Sequence, residues 1–259
     1  MLELIDAGFH YPHRDWIFRH ANLSLDGGIT SILGPNGQGK TTLLRCLSGL
    51  NPLTEGTVVR TGEIGYVPQA AASTFAYTVF DMVLMGRAKK VSAFAAPGRV
   101  DRAHTRAVLE RVGIDDLADR SFAELSGGQR QLVLIARALV GECDYLILDE
   151  PVSALDLRNQ ARVLELLRAL AADGMGVLLT THHPEHVLHL GGTAIVLTAP
   201  ERIRQGPVDE LIADDVLSDL YGIDVVRAEV DDRGRPRTVL FTRYDTADAP
   251  SARLQEVGS

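Results

Sequence analysis

Gly34-Pro35-Asn36-Gly37-Gln38-Gly39-Lys40-Thr41 matches G-x-x-x-x-G-K-[ST], a spacing that fits a phosphate cradle. Glycines let backbone N–H groups face phosphate oxygens, Lys40 reaches the β and γ positions, and the Thr41 hydroxyl, with Thr42 beside it, opens a helix as a hard ligand for Mg²⁺. Such a site needs acids. Tyr145-Leu146-Ile147-Leu148-Asp149-Glu150 is an apolar run that delivers two of them together: Asp149 to hold Mg²⁺ and Glu150 to orient or deprotonate the attacking water. His182 follows the apolar run GVLLTT, where an imidazole could donate to the γ-phosphate as charge develops. His183 is its rival. His186 and His189 continue at helical spacing, so a metal-binding face is the alternative reading of the four histidines.

A second stretch, Leu125-Ser126-Gly127-Gly128-Gln129, stands in front of a mostly apolar helical run. Ser126 suits an N-cap, but glycine in the first turn costs helix stability relative to alanine. Two readings compete: a sharp turn that needs glycine, or a bare helix N-terminus left open for an anion.

The elements that must carry these groups are legible around them. Ile29 to Leu33 reads as a strand leading into the glycine loop, followed by a helix that stops near Gly49. GTVVR and EIGYV, on either side of Thr61-Gly62, read as a hairpin or adjacent short strands of a peripheral sheet. Thr78 to Val140 is helical in pattern, with a loop at Ala93 to Gly98. DYLIL, GVLLT and TAIVLT are strands; Arg158, Arg162, Glu165 and Arg168 mark the solvated face of the helix between the first two. Alternating strands and helices imply a parallel sheet covered on both faces. VDELIADDVLSDLYG reads as one or two helical turns, and the chain closes with a hairpin around Gly234.

The chain has 259 residues and a formal net charge of −8, which argues against nucleic acid as a partner. Cys46 and Cys143 have no CxxC or Cys/His context, so buried free thiols are expected. The first residues carry acids where a secretory leader carries positive charge, and no window approaches the ~20 apolar residues of a membrane span. Work at a membrane would therefore require another chain as the anchor.

GPNGQGKT, YVPQ at Tyr66 to Gln69, LSGGQ, YLILDEP, SALD at Ser153 to Asp156 and TTHH at Thr180 to His183, in this order, resemble the nucleotide-binding subunit of ABC transporters. The resemblance implies an α/β, P-loop NTPase fold of the ABC ATPase type: a RecA-like core lobe, an antiparallel β subdomain and a helical lobe at about 76–142. The ATPase domain is expected over 1–222 and a C-terminal extension over 223–259. By resemblance Tyr11 stacks on adenine, with Trp16 as the alternative, and Gln69 senses Mg²⁺ and water. Leu125 to Gln129 meet the ATP held by a partner, and Asp156 bridges the two subunits. Gln38, Val152 and His183 stand where the family often has Ser, Thr and Asp.

The resemblance further implies ATP and Mg²⁺ as cofactors, a homodimer or equivalent ATPase pair closing head to tail, two integral membrane permease subunits and an extracytoplasmic substrate-binding protein. The chain would sit in the cytoplasm, peripheral on the inner face of the membrane. TVFDMVLMGR and LYGIDV lean toward importers of metal chelates or metal oxyanions. A permease groove is expected near Gln69, Phe75, Tyr77 and Met82, with packing inside the helical lobe as the alternative for those side chains. A soluble ABC ATPase of DNA repair or translation, or the separate ATPase of an efflux pump, are the competing functions.

Overall fold

The computed structural model describes residues 1–69, 77–90 and 96–244. Phe75 and part of the expected loop at 93–98 lie outside the described residues. In chain order the strands are β1 (Leu2–His10), β2 (Trp16–Leu25), β3 (Ile29–Leu33), β4 (Glu55–Arg60), β5 (Ile64–Val67), β6 (Tyr145–Leu148), β7 (Gly176–Thr181), β8 (Thr193–Ala199), β9 (Arg202–Pro207), β10 (Val225–Asp231) and β11 (Pro236–Thr242). The α-helices are α1 (Lys40–Leu47), α2 (Val79–Leu84), α3 (Arg99–Val112), α4 (Gly127–Leu139), α5 (Leu157–Ala172), α6 (Pro184–Leu190), α7 (Val208–Leu211) and α8 (Asp214–Tyr221).

A 6-stranded sheet of order β5-β6-β7-β3-β8-β9 forms the centre, parallel except where β9 pairs antiparallel with β8. β3 lies between β7 and β8, and every residue of ITSIL is buried, as a strand covered on both faces requires. Side-chain alternation along β7 divides the core. Leu178 faces a cluster with α1 and the antiparallel sheet β2-β1-β4, whereas Val177 and Leu179 face a cluster with α4 and α5. Leu33, Ala194 and Val196 face a third cluster, closed by α6, α7 and α8. This is the α/β fold class expected, with its separate antiparallel strands and a group of helices.

The expected pairing of GTVVR with EIGYV is corrected. β4 pairs with β1 in the antiparallel sheet, while β5 is the edge of the large sheet, parallel to β6. The Thr61-Gly62 turn passes the chain from one sheet to the other because Asp144 captures its far side: the Glu63 N–H donates to Asp144 Oδ2 at 2.7 Å, and the Asp144 N–H donates to Glu63 O at 2.9 Å. Of the two readings of Met82, packing inside the helical lobe is the one observed. It is buried with Val79 and Val83, and the Arg137 guanidinium lies 3.8 Å from its sulfur. Tyr77 is exposed.

The solvated face of α5 is as expected, with Arg158, Arg162, Glu165 and Arg168 all exposed. Cys46 is buried and Cys143 half-buried, both free; burial pushes the Cys46 thiol up to about 12, so it is inert at neutral pH.

Candidate functional site

The C-terminal ends of β3, β6 and β7 lie side by side because these strands are parallel neighbours in register. The glycine loop after β3, the acids after β6 and the histidines after β7 therefore converge at one edge of the sheet. Thr41 donates to Asp149 Oδ1 at 2.9 Å, and the buried Thr180 hydroxyl donates to the same oxygen at 2.7 Å. Thr180 Oγ1 also accepts the Glu150 N–H at 2.8 Å. That bond holds Glu150 in a left-handed conformation, φ 44°, which is uncommon outside glycine and which turns its carboxylate into the site.

Around that carboxylate, Gln69 donates to Oε2 at 3.5 Å, and His182 Nδ1 and Lys40 Nζ stand 3.4 Å and 3.8 Å from Oε1. The Lys40 ammonium also donates to Gly34 O at 2.7 Å and Pro35 O at 2.9 Å. Burial pushes its pKa below the usual lysine range, and Glu150 and Asp149 pull it back part of the way. A hydroxyl and a carboxylate sharing one corner of the loop form an all-oxygen donor set, which fits Mg²⁺. Gly39 has φ 88°, and a Cβ there would lie 2.2 Å from Ile17 Cγ2, so the loop's last glycine is needed for both its conformation and its contact with β2.

Tyr11 follows β1, its hydroxyl 3.3 Å from Thr42 Oγ1 and its ring edge-on to Phe9 at 4.9 Å, so it borders the loop while remaining partly exposed. Trp16 is engaged differently: His10 packs edge-on against it at 4.7 Å, and the Arg19 guanidinium lies over it at 4.6 Å. Thr42 itself is buried at the start of α1.

Ser126, Gly127, Gly128 and Gln129 are elsewhere, and no hydrogen bond or ion pair among the described residues joins them to residues 34–42. Ser126 is the N-cap of α4 in a capping box: its Oγ accepts the Gln129 N–H at 3.3 Å, and Gln129 Oε1 accepts the Ser126 N–H at 3.0 Å. The N–H groups of Gly127 and Gly128, in the first turn, have no intrahelical acceptor.

The two glycines are not equivalent. A Cβ on Gly127 would meet nothing closer than 3.8 Å, whereas one on Gly128 would lie 2.3 Å from Asn159 Cγ in α5. Gly127 fits the bare-backbone reading; Gly128 is there so that α4 can approach α5. Leu125 is buried in the helical cluster, where it anchors the approach to the cap.

A family model described as "ABC transporter" matches residues 18–153 of the chain, a span containing the glycine loop, the LSGGQ stretch and both acids. The chain belongs to the ABC transporter ATP-binding family. It is 40% identical over 222 residues to the molybdate import ATP-binding protein MolC of Haemophilus influenzae, covering 85% of this chain and 87% of that protein. A solved metal-chelate type ABC transporter in an inward-facing conformation superimposes with a TM-score of 0.91 at 37% identity, covering 95% of this chain and 98% of that one. A bacterial ABC transporter cassette solved as a dimer superimposes with a TM-score of 0.69 at 26% identity, covering 80% of this chain and 99% of the other. The protein is thus an ABC ATPase.

Within this ABC cassette, Asp156 is exposed and caps α5, accepting the Asn159 N–H at 2.9 Å. That hydrogen bond and one from the Asn159 side chain hold its carboxyl below the usual aspartate range. The four histidines do not gather into a metal site: among the described residues no group of three or more His, Cys, Asp or Glu is placed to hold a metal ion. Instead the rings of His182 and His183 are 4.1 Å apart, those of His183 and His186 are 4.8 Å apart, and His189 pairs with Glu165 at 3.1 Å. Burial pushes His183 down, and pushes His186 down to about 4.

Sequence reasoning missed Thr180, which braces Asp149 and the backbone of Glu150. Its signal was present: a polar residue inside the buried run GVLLTT. It missed Asn159 as well, because the fit of α4 against α5 joins residues that no local pattern links.

Proposed function

We propose that the chain is the ATP-hydrolysing subunit of an importer for a metal chelate or metal oxyanion. It works as a head-to-tail pair coupled to two integral membrane permease subunits, to which an extracytoplasmic binding protein delivers cargo. The observation that carries this reading is the separation of two half-sites: a phosphate loop wired to its acids, and a capped glycine helix start that, among the described residues, has no hydrogen bond or ion pair to that loop. A second copy, turned head to tail, supplies the missing half to each. The molybdate and metal-chelate character of the relatives supports the cargo class. Among the described residues no helix is long and apolar enough to cross a membrane; in this reading the permease subunits hold the chain at the cytoplasmic face.

In this mechanism Tyr11 stacks on adenine, the N–H groups of Asn36 to Thr42 surround the β-phosphate, and Lys40 moves its ammonium from the loop carbonyls onto the β and γ oxygens. Thr41 and Asp149, with Gln69, would hold Mg²⁺, which when bound neutralises charge on the phosphates. Glu150, fixed through its own backbone by Thr180, orients and deprotonates the attacking water. His182 donates to the γ-phosphate as charge builds there. The partner's Ser126 hydroxyl and Gly127 N–H close over the same phosphate, and hydrolysis releases the closure.

Copurification tests the assembly. The tagged full-length chain is expected to bring down a polytopic membrane protein in detergent; recovery of ribosomes or DNA in its place overturns the importer reading.

A further inference from the structure

β7 ends at Thr181 and α6 begins at Pro184, so only His182 and His183 turn the chain from sheet to helix. The peptide between these two residues is held at both ends. Its carbonyl, His182 O, accepts from Tyr221 Oη at 3.0 Å, and its N–H, on His183, donates to Thr181 Oγ1 at 3.1 Å. A peptide unit is planar, so fixing its oxygen and its hydrogen fixes the plane, and with it the ψ of His182 and the φ of His183. The His183 ring then rests 4.1 Å from the His182 ring, whose Nδ1 stands 3.4 Å from Glu150 Oε1.

Both clamping groups are set by packing. Thr181 is 2% exposed, at the end of a fully buried strand. Tyr221 ends α8, whose Leu217 and Leu220 are buried against the sheet, and the Ser218 hydroxyl accepts the Val225 N–H at 3.0 Å to hold the next turn of chain. Burial raises the Tyr221 phenol pKa, so the hydroxyl keeps the proton it donates.

We propose that Tyr221 is a positioning residue for His182: through the His182 carbonyl it holds the peptide plane that aims the imidazole at the γ-phosphate side of Glu150. This rests on the γ-phosphate role given to His182 above. Tyr221 is 39 residues from His182 in sequence, and the hydroxyl acts on the main chain and not on a side chain.

The test is steady-state and single-turnover ATP hydrolysis by the full-length chain with Mg²⁺. Tyr221→Phe keeps the ring and removes only the donor; kcat is expected to fall about threefold to tenfold, the worth of one hydrogen bond, with KM for ATP unchanged to within about twofold. Thr181→Val removes the acceptor at the other end of the plane and gives the same split. In a His182→Ala background Tyr221→Phe causes no further loss, because the two changes act through one group.

Wild-type kcat in Tyr221→Phe, or the same fractional loss with and without His182, overturns the inference. Full turnover in His182→Ala is a different failure: it removes the γ-phosphate role itself, and it is read from that single variant alone.

Discussion

The phosphate-loop edge and the LSGGQ helix start both carry glycine-rich turns into a helix, yet they are built in opposite ways. At the loop edge, side chains far apart in sequence are tied to one another: Thr41 and Thr180 to Asp149, and Gln69, His182 and Lys40 around Glu150. At the helix start, the side chains of Ser126 and Gln129 cap each other's backbone N–H groups. The first is a machine assembled within one chain, and the second a surface finished locally and presented outward. Side chains held for chemistry are braced by supporting hydrogen bonds, whereas the helix start carries its own cap and leaves room at Gly127.

The largest expected effect is at the braced edge. Glu150→Gln keeps ATP affinity but lowers turnover by about 100-fold to 10,000-fold, and with Mg-ATP the variant elutes as a dimer in size exclusion. A monomer under those conditions would break the idea that the two regions meet between copies.

Next comes a pair that separates the regions directly. Lys40→Ala loses ATP binding, whereas Ser126→Arg leaves the affinity of the isolated chain unchanged and lowers hydrolysis by more than about tenfold, as read by nucleotide titration and phosphate release. If both variants lost binding equally, the helix start would belong to the chain's own site.

A smaller effect separates the two glycines. Gly128→Ala is expected to destabilise the fold by about 1–3 kcal/mol, since its Cβ must displace Asn159. Gly127→Ala stays within about 0.5 kcal/mol. Urea unfolding of the two variants checks this, and coincident midpoints would return both glycines to one role.

The smallest effect concerns the wall of the braced edge. His186 is held at about 4 by burial, with His183, His189 and His182 adding to the depression and Glu185 opposing it. The unfolded chain binds this proton below about 6.5. The stabilisation is therefore complete above that pH and is lost as pH falls from about 6.5 toward 4. Screening at a partly exposed ring keeps it to about 1–2 kcal/mol. His186→Gln should flatten that part of the stability profile, and an unchanged slope would place the titration elsewhere.

Much of this protein was readable along the chain. The strand, loop and helix around Gly34 to Thr41, the apolar run before Asp149 and Glu150, and the cap at Ser126 are encoded within a few residues, because turn chemistry, helix capping and buried strands have local signatures. The placement of Met82 in the core, of β4 and β5 in different sheets, and of Thr180 beneath the acids was not local. Each depends on which distant surface covers the residue.

Sequence by itself determined the pattern: a glycine loop between strand and helix, two acids standing together after an apolar run, and two glycines that open α4. Only the tertiary structure decided how that pattern is held. It set Gly128 against Asn159, drew Glu150 into a left-handed turn on Thr180, and brought Tyr221 from α8 to the carbonyl of His182. The reason is physical: spacing along a chain fixes periodicity and capping over a few residues, whereas contacts across sheet faces are fixed by which apolar surfaces bury one another.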